Sequence, residues 1–404
     1  MFINSVRPRR RQAESVATTM GSTADKPTSR RQAARVVIAT VLSIAALTAS
    51  ACSSSGSSDS SSNAPASTSS AENAALAAYT CHPSPFPVDT PLSKAVPPGT
   101  TLAYLQCGAP ICAVISKLVA PAIQALGATM KTVNAGLTAS EAQAAASSVL
   151  SLKPSAVIAT GLNPQIYAGG LQKISAAGIK VVSISIPGDT KQYGIDFNYI
   201  GLSPLQLAGK LLADWVVVNK GPKADIVFYG TPEIFFTPYM QTAFKDELTK
   251  SCPGCKLRFT SLGIATLGTT APSTIVTDLQ SHPDTNMAVL ETGGAAQGLP
   301  AAMKAAGISS VSTLVYNPEP AQLQAIKDGS LTAGLGADLP VQMWTSVDIV
   351  ARLLTGQQPT AGEVAGVGPF QFLAKQDITF DPTNGWTGYP DYAQRFATLW
   401  KQAS

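Results

Sequence analysis

Two cysteines five positions apart flank a Gly-Ala-Pro segment in "CGAPIC", from Cys107 to Cys112. Such a pair can bind a metal, act as a redox couple or form a disulfide. A second pair, Cys252 and Cys255, encloses Pro-Gly, which favours the tight turn that a short disulfide loop needs. Outside the cell disulfides predominate, so both pairs are predicted to be disulfides if the chain is exported. Cys81 could compete for Cys107 or Cys112.

Catalytic machinery is hard to assemble from this sequence. The chain has only two histidines, His82 and His282, and neither position suits a Ser-His-Asp or Cys-His arrangement around a cleft. The motifs G-x-S-x-G, G-x-x-x-x-G-K and G-x-G-x-x-G do not occur. A zinc enzyme would lack histidine ligands for the same reason. The sequence therefore argues against an enzyme and predicts neither a metal nor a cofactor.

The N-terminus has the order of an export signal. Arginines precede a short apolar run, Val36–Ala46, and small residues then lead to Cys52. The run is shorter than the ~20 residues of a membrane span. We predict a signal peptide over 1–51, with export by the general or the twin-arginine route and a start at Met1 or Met20. The "ASAC" segment resembles the lipobox of bacterial lipoproteins, which implies a lipid on Cys52.

Residues 53–70 are mostly serine with glycine, alanine and proline, a composition that cannot form a packed core. We therefore predict a flexible tether over 52–96. About 330 residues follow the Ser-rich run, which favours two domains. Charged residues make up 13% of the chain, the net charge is +4, and no basic stripe suggests nucleic-acid binding.

From Thr101 onward, short apolar runs alternate with longer amphipathic ones. "TLAYLQC" and "SAVIATG" are typical of buried strands, and "ICAVISKLVAPAIQALG" is typical of a helix. The alternation restarts after "FNYIGL". This pattern predicts an α/β fold with two doubly wound, Rossmann-like lobes, each built on a parallel sheet. Ligands of such sheets bind beyond the carboxyl ends of the strands, where Cys107 and Gly108 lie.

Three stretches carry a family resemblance: "GIKVVSISIPGD", "SHPDTNMAVLETGGAAQGLPAAMKAAG" and "VYNPEPAQLQAIKDGSLTAGLGADLP". From Thr101 to Gln357 the chain resembles type I periplasmic binding proteins, specifically the ribose-binding-like receptors of sugar ABC transporters. The resemblance implies two lobes joined by three crossovers that close like a hinge on one ligand. It places 97–201 and about 339–370 in the N-terminal lobe. It places 202–338 and about 371–404 in the C-terminal lobe.

The resemblance also implies site positions, and many of the family's sugar-binding residues are replaced. Ile111 and Cys112 stand where the family has aromatic residues, and Ser185 and Ile186 stand where it has an Asp-Arg pair. Met240 replaces an arginine, and Thr292 an asparagine. Asn317 takes the place of a sugar-binding Asp, and Asp338 that of a polar residue. Because charged bidentate partners are lost, the pattern favours a less polar ligand than a free pentose.

Other candidates follow from their places in the predicted strands and helices. Phe235, Phe236 and Tyr239 either line the second lobe or belong to its core, and Tyr316 is favoured for the cleft. Trp344 is favoured for the core. Asn163 contacts ligand or caps a helix, and Glu291 meets ligand or solvent because an unpaired buried carboxylate is costly. The full predicted ligand-binding set is Cys107, Gly108, Ile111, Asn163, Ser185, Phe235, Phe236, Tyr239, Met240, Glu291, Thr292, Tyr316, Asn317 and Asp338.

These observations predict a monomeric, lipid-anchored receptor on the outer face of the bacterial cytoplasmic membrane. It would capture a small molecule, either sugar-like or a less polar or aromatic metabolite, and present it to an ABC permease and its ATPase. The alternative is a sensory receptor whose closure reports to a signalling partner. An enzyme is the less favoured third alternative.

Overall fold

The computed structural model describes residues 69–401 apart from Leu162 and Pro187. The predicted signal peptide, the predicted lipidation of Cys52 and most of the Ser-rich run lie outside the described residues. Among the helices of the described part, none is both long and apolar enough to cross a membrane.

The first sheet has five parallel strands in the order β2-β1-β3-β4-β5. Helix α1 (Ser69–Ala77) precedes it in the chain. The strands are β1 (Thr101–Cys107), β2 (Thr129–Gly136), β3 (Ala156–Thr160), β4 (Lys180–Ile184) and β5 (Phe197–Tyr199). The connecting helices are α2 (Pro110–Ala125), α3 (Ala139–Leu152) and α4 (Ala168–Ala176). Central strand β3 is buried along its whole length, because helices cover both faces of the sheet.

The second sheet repeats this strand order and adds one strand at its edge, giving β11-β10-β9-β8-β6-β7. Its strands are β6 (Asp225–Gly230), β7 (Lys256–Ser261), β8 (Met287–Leu290), β9 (Ser312–Tyr316), β10 (Ala333–Ala337) and β11 (Phe370–Leu373). Only β11 is antiparallel to its neighbour. The helices are α5 (Leu202–Lys220), α6 (Thr237–Ser251), α7 (Ala271–Ser281), α8 (Gly293–Ala296), α9 (Leu299–Ala305) and α10 (Pro320–Asp328).

The chain passes between the two sheets three times in this region. It leaves β5 for α5, leaves β10 for α11 (Leu339–Leu354), and returns through α12 (Ala361–Ala365) to β11. Helix α11 packs against α2, β3 and β4 of the first sheet. These crossings match the three that the resemblance implies. The edge strand of the second sheet begins at Phe370.

The predicted tether extends too far along the chain. Its last part, residues 69–96, packs on the folded domain, and we name it the N-terminal strap. Helix α1 packs on α5, and Leu76, Val88 and Leu92 are buried. The Phe372 N–H donates to the Tyr79 carbonyl at 2.7 Å, so the strap extends the hydrogen bonding of β11. This part of the predicted tether therefore belongs to the folded body, because its apolar side chains fill the core.

The C-terminal tail, residues 374–401, ends in α13 (Tyr392–Lys401) and covers α11. The rings of Trp344 and Trp400 stack with centroids 5.5 Å apart, and the Trp400 indole N–H donates to Asp348 Oδ1 at 2.6 Å. Trp344 is buried, as predicted. The tail thus shields an apolar helix face from water.

Candidate ligand-binding site

In a sheet of this strand order, the crevice for a ligand opens where successive connections leave in opposite directions. In the first sheet this switch point lies between β1 and β3. There the Tyr104 hydroxyl lies 2.8 Å from Thr160 Oγ1 and donates to the Cys112 carbonyl at 3.2 Å. Burial raises the pKa of Tyr104 to about 12, so this hydroxyl keeps its proton.

A disulfide forms the edge of this first switch point. Cys107 at the end of β1 is bonded to Cys112 in the first turn of α2, which confirms the predicted pair. The exposed Gly108 between them donates its N–H to the Gly136 carbonyl at 2.8 Å. A Cβ on Gly108 would lie 2.9 Å from Leu137 Cγ, so a larger residue would require Leu137 or the adjacent backbone to shift. The disulfide therefore fixes a narrow loop beside the crevice.

The side chains around this loop are apolar. Ile111 is half-buried and packs on the core below. Val114 and Leu137 are 41% and 50% exposed, which is unusual for large aliphatic residues. The first-sheet edge of the candidate site thus combines an apolar surface with the Tyr104–Thr160 hydroxyl pair.

The switch point of the second sheet lies between β6 and β8, and Glu291 occupies it. Its Oε2 accepts the Thr231 N–H at 2.8 Å, and the residue is only 1% exposed. Burial raises the pKa of Glu291 to about 7, although the nearby Thr237 hydroxyl and the Thr231 N–H oppose that change. Glu291 Oε1 and Thr292 Oγ1 are buried without a hydrogen-bond partner. Two oxygens at this point thus lack a hydrogen-bond partner within the protein.

Tyr316 and Asn317 follow β9 beside this crevice. Tyr316 is 9% exposed, and burial raises its pKa, with a smaller contribution from the negative charge of Glu291. Asn317 has a φ of 52°, and its N–H donates to the Leu335 carbonyl at 2.8 Å. Asparagine tolerates this left-handed conformation better than most residues. Its side chain remains partly exposed at the strand end.

Two further left-handed residues mark carboxyl ends of strands in the first sheet. Ser185 after β4 has a φ of 60°, and Ile200 after β5 has a φ of 56°. A β-branched residue rarely adopts this conformation. Strained backbone of this kind concentrates at binding and switch regions. The strain therefore supports the assignment of a functional site to these strand ends.

Met240, predicted to contact ligand, is a core residue instead. Its side chain is 0% exposed and belongs to the cluster that includes Phe228 and Phe244. Helix α6 lies so close to α5 that a Cβ on Gly209 would be 2.5 Å from the Met240 carbonyl oxygen. Met240, which replaces the arginine of the family, therefore lies in the interface between α5 and α6.

Asp338, also predicted to bind ligand, is 0% exposed and has no free oxygen. Its Oδ1 accepts the Val341 N–H at 3.1 Å and caps α11. Its Oδ2 accepts the Thr387 hydroxyl at 3.0 Å and the Gly388 N–H at 2.8 Å. The contacts correct the prediction: Asp338 caps a helix and anchors the tail.

The remaining candidates keep partly exposed side chains. Asn163 Oδ1 accepts the Gln165 N–H at 2.9 Å, which is the capping role considered for it. Phe235, Phe236 and Tyr239 are half-buried at the start of α6, with the Phe235 and Tyr239 rings 6.5 Å apart and edge-on. Their ligand contacts remain predictions.

Sequence reasoning missed Thr160 and Thr231, which stand at the two switch points. Their places in the chain provide a signal, because Thr160 ends an apolar strand and Thr231 directly follows one. Whether such a strand borders a switch point depends on the order of strands in the sheet. Without the strand order, however, no residue type marks these threonines among the many of the chain.

The Cys252–Cys255 disulfide, also predicted, lies between α6 and β7, at the opposite end of the sheet from Glu291. Cys81 takes part in neither of the two disulfides described here. Within the described chain, no three His, Cys, Asp or Glu side chains come together as a metal site requires. The site offers hydroxyl, carboxyl, backbone and aromatic groups, which suit reversible binding of a small molecule.

Two doubly wound sheets of one strand order, joined by three crossings, define the two-lobed class of ligand-binding proteins. Residues 112–358 match the family described as "Periplasmic binding protein domain". The chain belongs to this family, which confirms the predicted resemblance and fold. It is a family of solute-binding proteins and not of enzymes.

Solved structures share the fold at low sequence identity. A glucose-galactose binding protein, GanP, from Geobacillus stearothermophilus has a TM-score of 0.59 and 15% identity, over 70% of this chain and 100% of that one. An ABC sugar transporter subunit from Rhodobacter sphaeroides has a TM-score of 0.59 and 20% identity, over 69% of this chain and 99% of that one. A carbohydrate transporter from Acidothermus cellulolyticus in complex with myo-inositol has a TM-score of 0.60 and 18% identity, over 74% of this chain and 100% of that one. No curated protein matches the sequence.

Proposed function

We propose that this chain is the solute-binding component of an ABC importer and captures one small molecule between two lobes. The first sheet with α11 forms one lobe, and the second sheet with β11 forms the other. The observation that carries the proposal is the pair of switch points, each with buried polar groups at the carboxyl ends of parallel strands. Structural neighbours are described as binding glucose-galactose or myo-inositol, which supports a sugar, a polyol or a related hydroxylated molecule.

The lining favours a ligand that presents both apolar and hydroxyl surface. Ser185 and Ile186 offer no charged fork to a sugar, whereas Val114 and Leu137 expose aliphatic surface nearby. Hydrogen bonds would come from Asn317, Thr292 and Glu291. A ligand drives closure only if it contacts the closed form better than the open one, so we assign it contacts with both lobes.

We further propose that the chain is exported, carries a lipid on Cys52 and acts as a monomer at the outer face of the cytoplasmic membrane. The order of basic, apolar and small residues before Cys52 supports this location. Its protein partners would be an ABC permease and its ATPase.

A thermal-shift panel on a soluble form that starts at Ser53 tests the binding role. The panel pairs sugars and polyols with aromatic acids and sparingly polar metabolites. A ligand at 100 times its dissociation constant adds about 2.7 kcal/mol to the free energy of unfolding, which such an assay detects. Small-angle scattering with the ligand should then show a smaller radius of gyration.

Failure of every compound class to raise the melting temperature would argue against a solute-binding role. Binding without any change in the radius of gyration would argue against closure of two lobes. A response to aromatic compounds alone would retain the role and assign the cleft to less polar ligands.

A further inference from the structure

Glu291 presents an unusual chemical situation at the second switch point. Its Oε2 is bonded to the Thr231 N–H, but its Oε1 has no partner although the side chain is 1% exposed. None of the ion pairs found in the described chain includes Glu291. Burial of an unpaired carboxylate is costly, so Glu291 carries a physical penalty in this position.

Glu291 and the ring beside it form a set with a specific preference. The Tyr316 ring lies close enough for the charge of Glu291 to affect its hydroxyl, and it is 9% exposed. A carboxylate oxygen beside an aromatic ring suits a primary ammonium group, which has three N–H donors and a positive charge.

A neutral hydroxyl would satisfy this set less well. It forms only neutral hydrogen bonds with the protonated carboxyl and gives no compensating charge to the ionised form, whose pKa burial raises to about 7. An ammonium group supplies both hydrogen bonds and charge, and charge-assisted hydrogen bonds are roughly twice as strong as neutral ones. The chemistry of the site therefore distinguishes an amine from the corresponding alcohol.

We propose that the ligand of this cleft carries a primary ammonium group, bound by Glu291 Oε1 together with the Tyr316 ring. This inference rests on the proposed solute-binding function and refines its ligand class to amino sugars or amino polyols. Glu291 is then the residue that determines specificity.

Access to Glu291 requires a local movement. Because Oε1 has no contact with solvent, Tyr316 or the segment from Thr231 to Phe236 must shift when the ligand enters. Pro232 and Glu233 in that segment are exposed, and the hydrogen bond from the Ile264 N–H to Glu233 Oε1 must break or move with the segment. Side-chain rearrangements of this size are common when partners bind.

Proton uptake and release provide an independent signature. Burial raises the pKa of Glu291 to about 7, so a large share of the side chains is protonated near neutral pH. A bound ammonium group favours the ionised form and lowers this pKa, so ligand binding must release protons to the buffer. A neutral ligand at the same place would not have this effect.

Isothermal titration calorimetry of the full chain with matched pairs tests the inference. The probes are D-glucosamine and D-glucose, D-galactosamine and D-galactose, and glucamine and sorbitol, at about pH 6.5, where primary alkyl amines are protonated. We expect at least one amine to bind about tenfold or more tightly than its alcohol. Titrations in phosphate and imidazole buffers, neither of which contains a primary amine, should differ in heat by an amount that corresponds to proton release.

Two variants localise the effect. Glu291→Gln keeps an oxygen for the Thr231 N–H and should reduce the preference for the amine to about twofold or less. Asp214→Asn is the matched control, since Asp214 is also a buried carboxyl of this lobe, with a pKa raised to about 6, but lies on α5. It should keep the full preference. If Glu291→Gln does not fold, the proton count on the unaltered chain still decides.

Each contrary outcome has its own meaning. Equal affinity for an amine and its alcohol, no proton release, or an unchanged preference in Glu291→Gln overturns the ammonium site and leaves the solute-binding function intact. If the chain binds neither member of any pair, nor any compound of the thermal-shift panel, the ammonium site and the solute-binding function are both overturned.

Discussion

Buried carboxyl groups in this chain have different roles according to the partners of each oxygen. Both oxygens of Asp338 accept hydrogen bonds within the protein, whereas one oxygen of Glu291 has none. Glu363 lies with Asp348 against the Arg352 guanidinium, and burial followed by the negative charge of Asp348 raises the pKa of Glu363. Burial alone therefore does not identify a ligand-binding residue. An unpartnered atom is informative only together with its place at a switch point, because Glu363 Oε1, on α12, also lacks a hydrogen-bond partner.

Substitution of Asp338 by alanine should mainly affect stability. The variant loses the cap of α11 and leaves the Thr387 hydroxyl and the Gly388 N–H without their acceptor. We expect the free energy of unfolding to fall by about 2 kcal/mol, measured by denaturant titration. Ligand affinity at the native fold should remain within about twofold, since no Asp338 oxygen is free to contact a ligand.

Asp381→Ala is the control for this experiment, because Asp381 also caps a short helix but is exposed. This variant should lower the free energy of unfolding by less than about 1 kcal/mol. Loss of binding in Asp338→Ala without a change in stability would show that Asp338 contacts the ligand.

At the scale of secondary-structure elements, the two disulfides are of the same kind and can be compared directly. Both close short loops, with sequence separations of 5 and 3, and each joins a helix to a strand. Cys107–Cys112 lies at the carboxyl end of β1, beside the first switch point. Cys252–Cys255 lies at the amino end of β7, away from the second. Their positions, and not their chemistry, decide what each one stabilises.

Paired replacements by serine separate these roles. Removal of either disulfide should lower the free energy of unfolding by about 2 kcal/mol, as chain entropy predicts for loops of this length. Only Cys107→Ser with Cys112→Ser should also weaken ligand binding, because it frees the loop that carries Gly108. Melting temperatures and calorimetric affinities of the two double variants provide the measurement.

Equal affinities in the two double variants would contradict a role for the Cys107–Cys112 loop in the site. Weaker binding after loss of Cys252–Cys255 would show that this disulfide acts on the site over the length of the sheet.

At the scale of the whole molecule, the strap and the tail add connections between the two sheets beyond the three crossings. The strap bonds to β11 of the second sheet through Tyr79, and Thr90 accepts a hydrogen bond from Arg352 on α11, which packs on the first. The tail joins Asp338 through Thr387 and packs Trp400 on Trp344. Opening and closing of the lobes must therefore conserve these contacts or break them together.

Trp400→Ala should release the tail. The change removes a buried ring and leaves Asp348 Oδ1 without its indole donor, so we expect a loss of about 3–5 kcal/mol of stability. Trypsin should then cleave after Arg395, on α13, much faster than in the unaltered chain. Limited proteolysis followed by mass spectrometry measures this rate.

Trp400→Phe serves as the comparison, since it keeps a ring against Trp344 and loses only the indole N–H, at about 1–3 kcal/mol. Unchanged cleavage after Arg395 in Trp400→Ala would mean that the stacked ring does not hold the tail.

The amino-acid sequence determined the fold class, the two lobes and both disulfides, since these depend on local properties: the period of apolar residues, the turn between close cysteines and the family motifs. It also determined the strand ends at which Glu291, Tyr316 and Asn317 stand. These features need only near neighbours in the chain.

Tertiary structure alone decided which side chains keep a free polar atom. Met240 is turned into the α5–α6 interface, and Asp338 is enclosed by a tail 49 residues further along the chain. The same residues at the same strand ends would be available if α6 or the tail packed elsewhere. Burial and hydrogen-bond partners depend on such distant contacts, and the pattern of one segment carries no information about them.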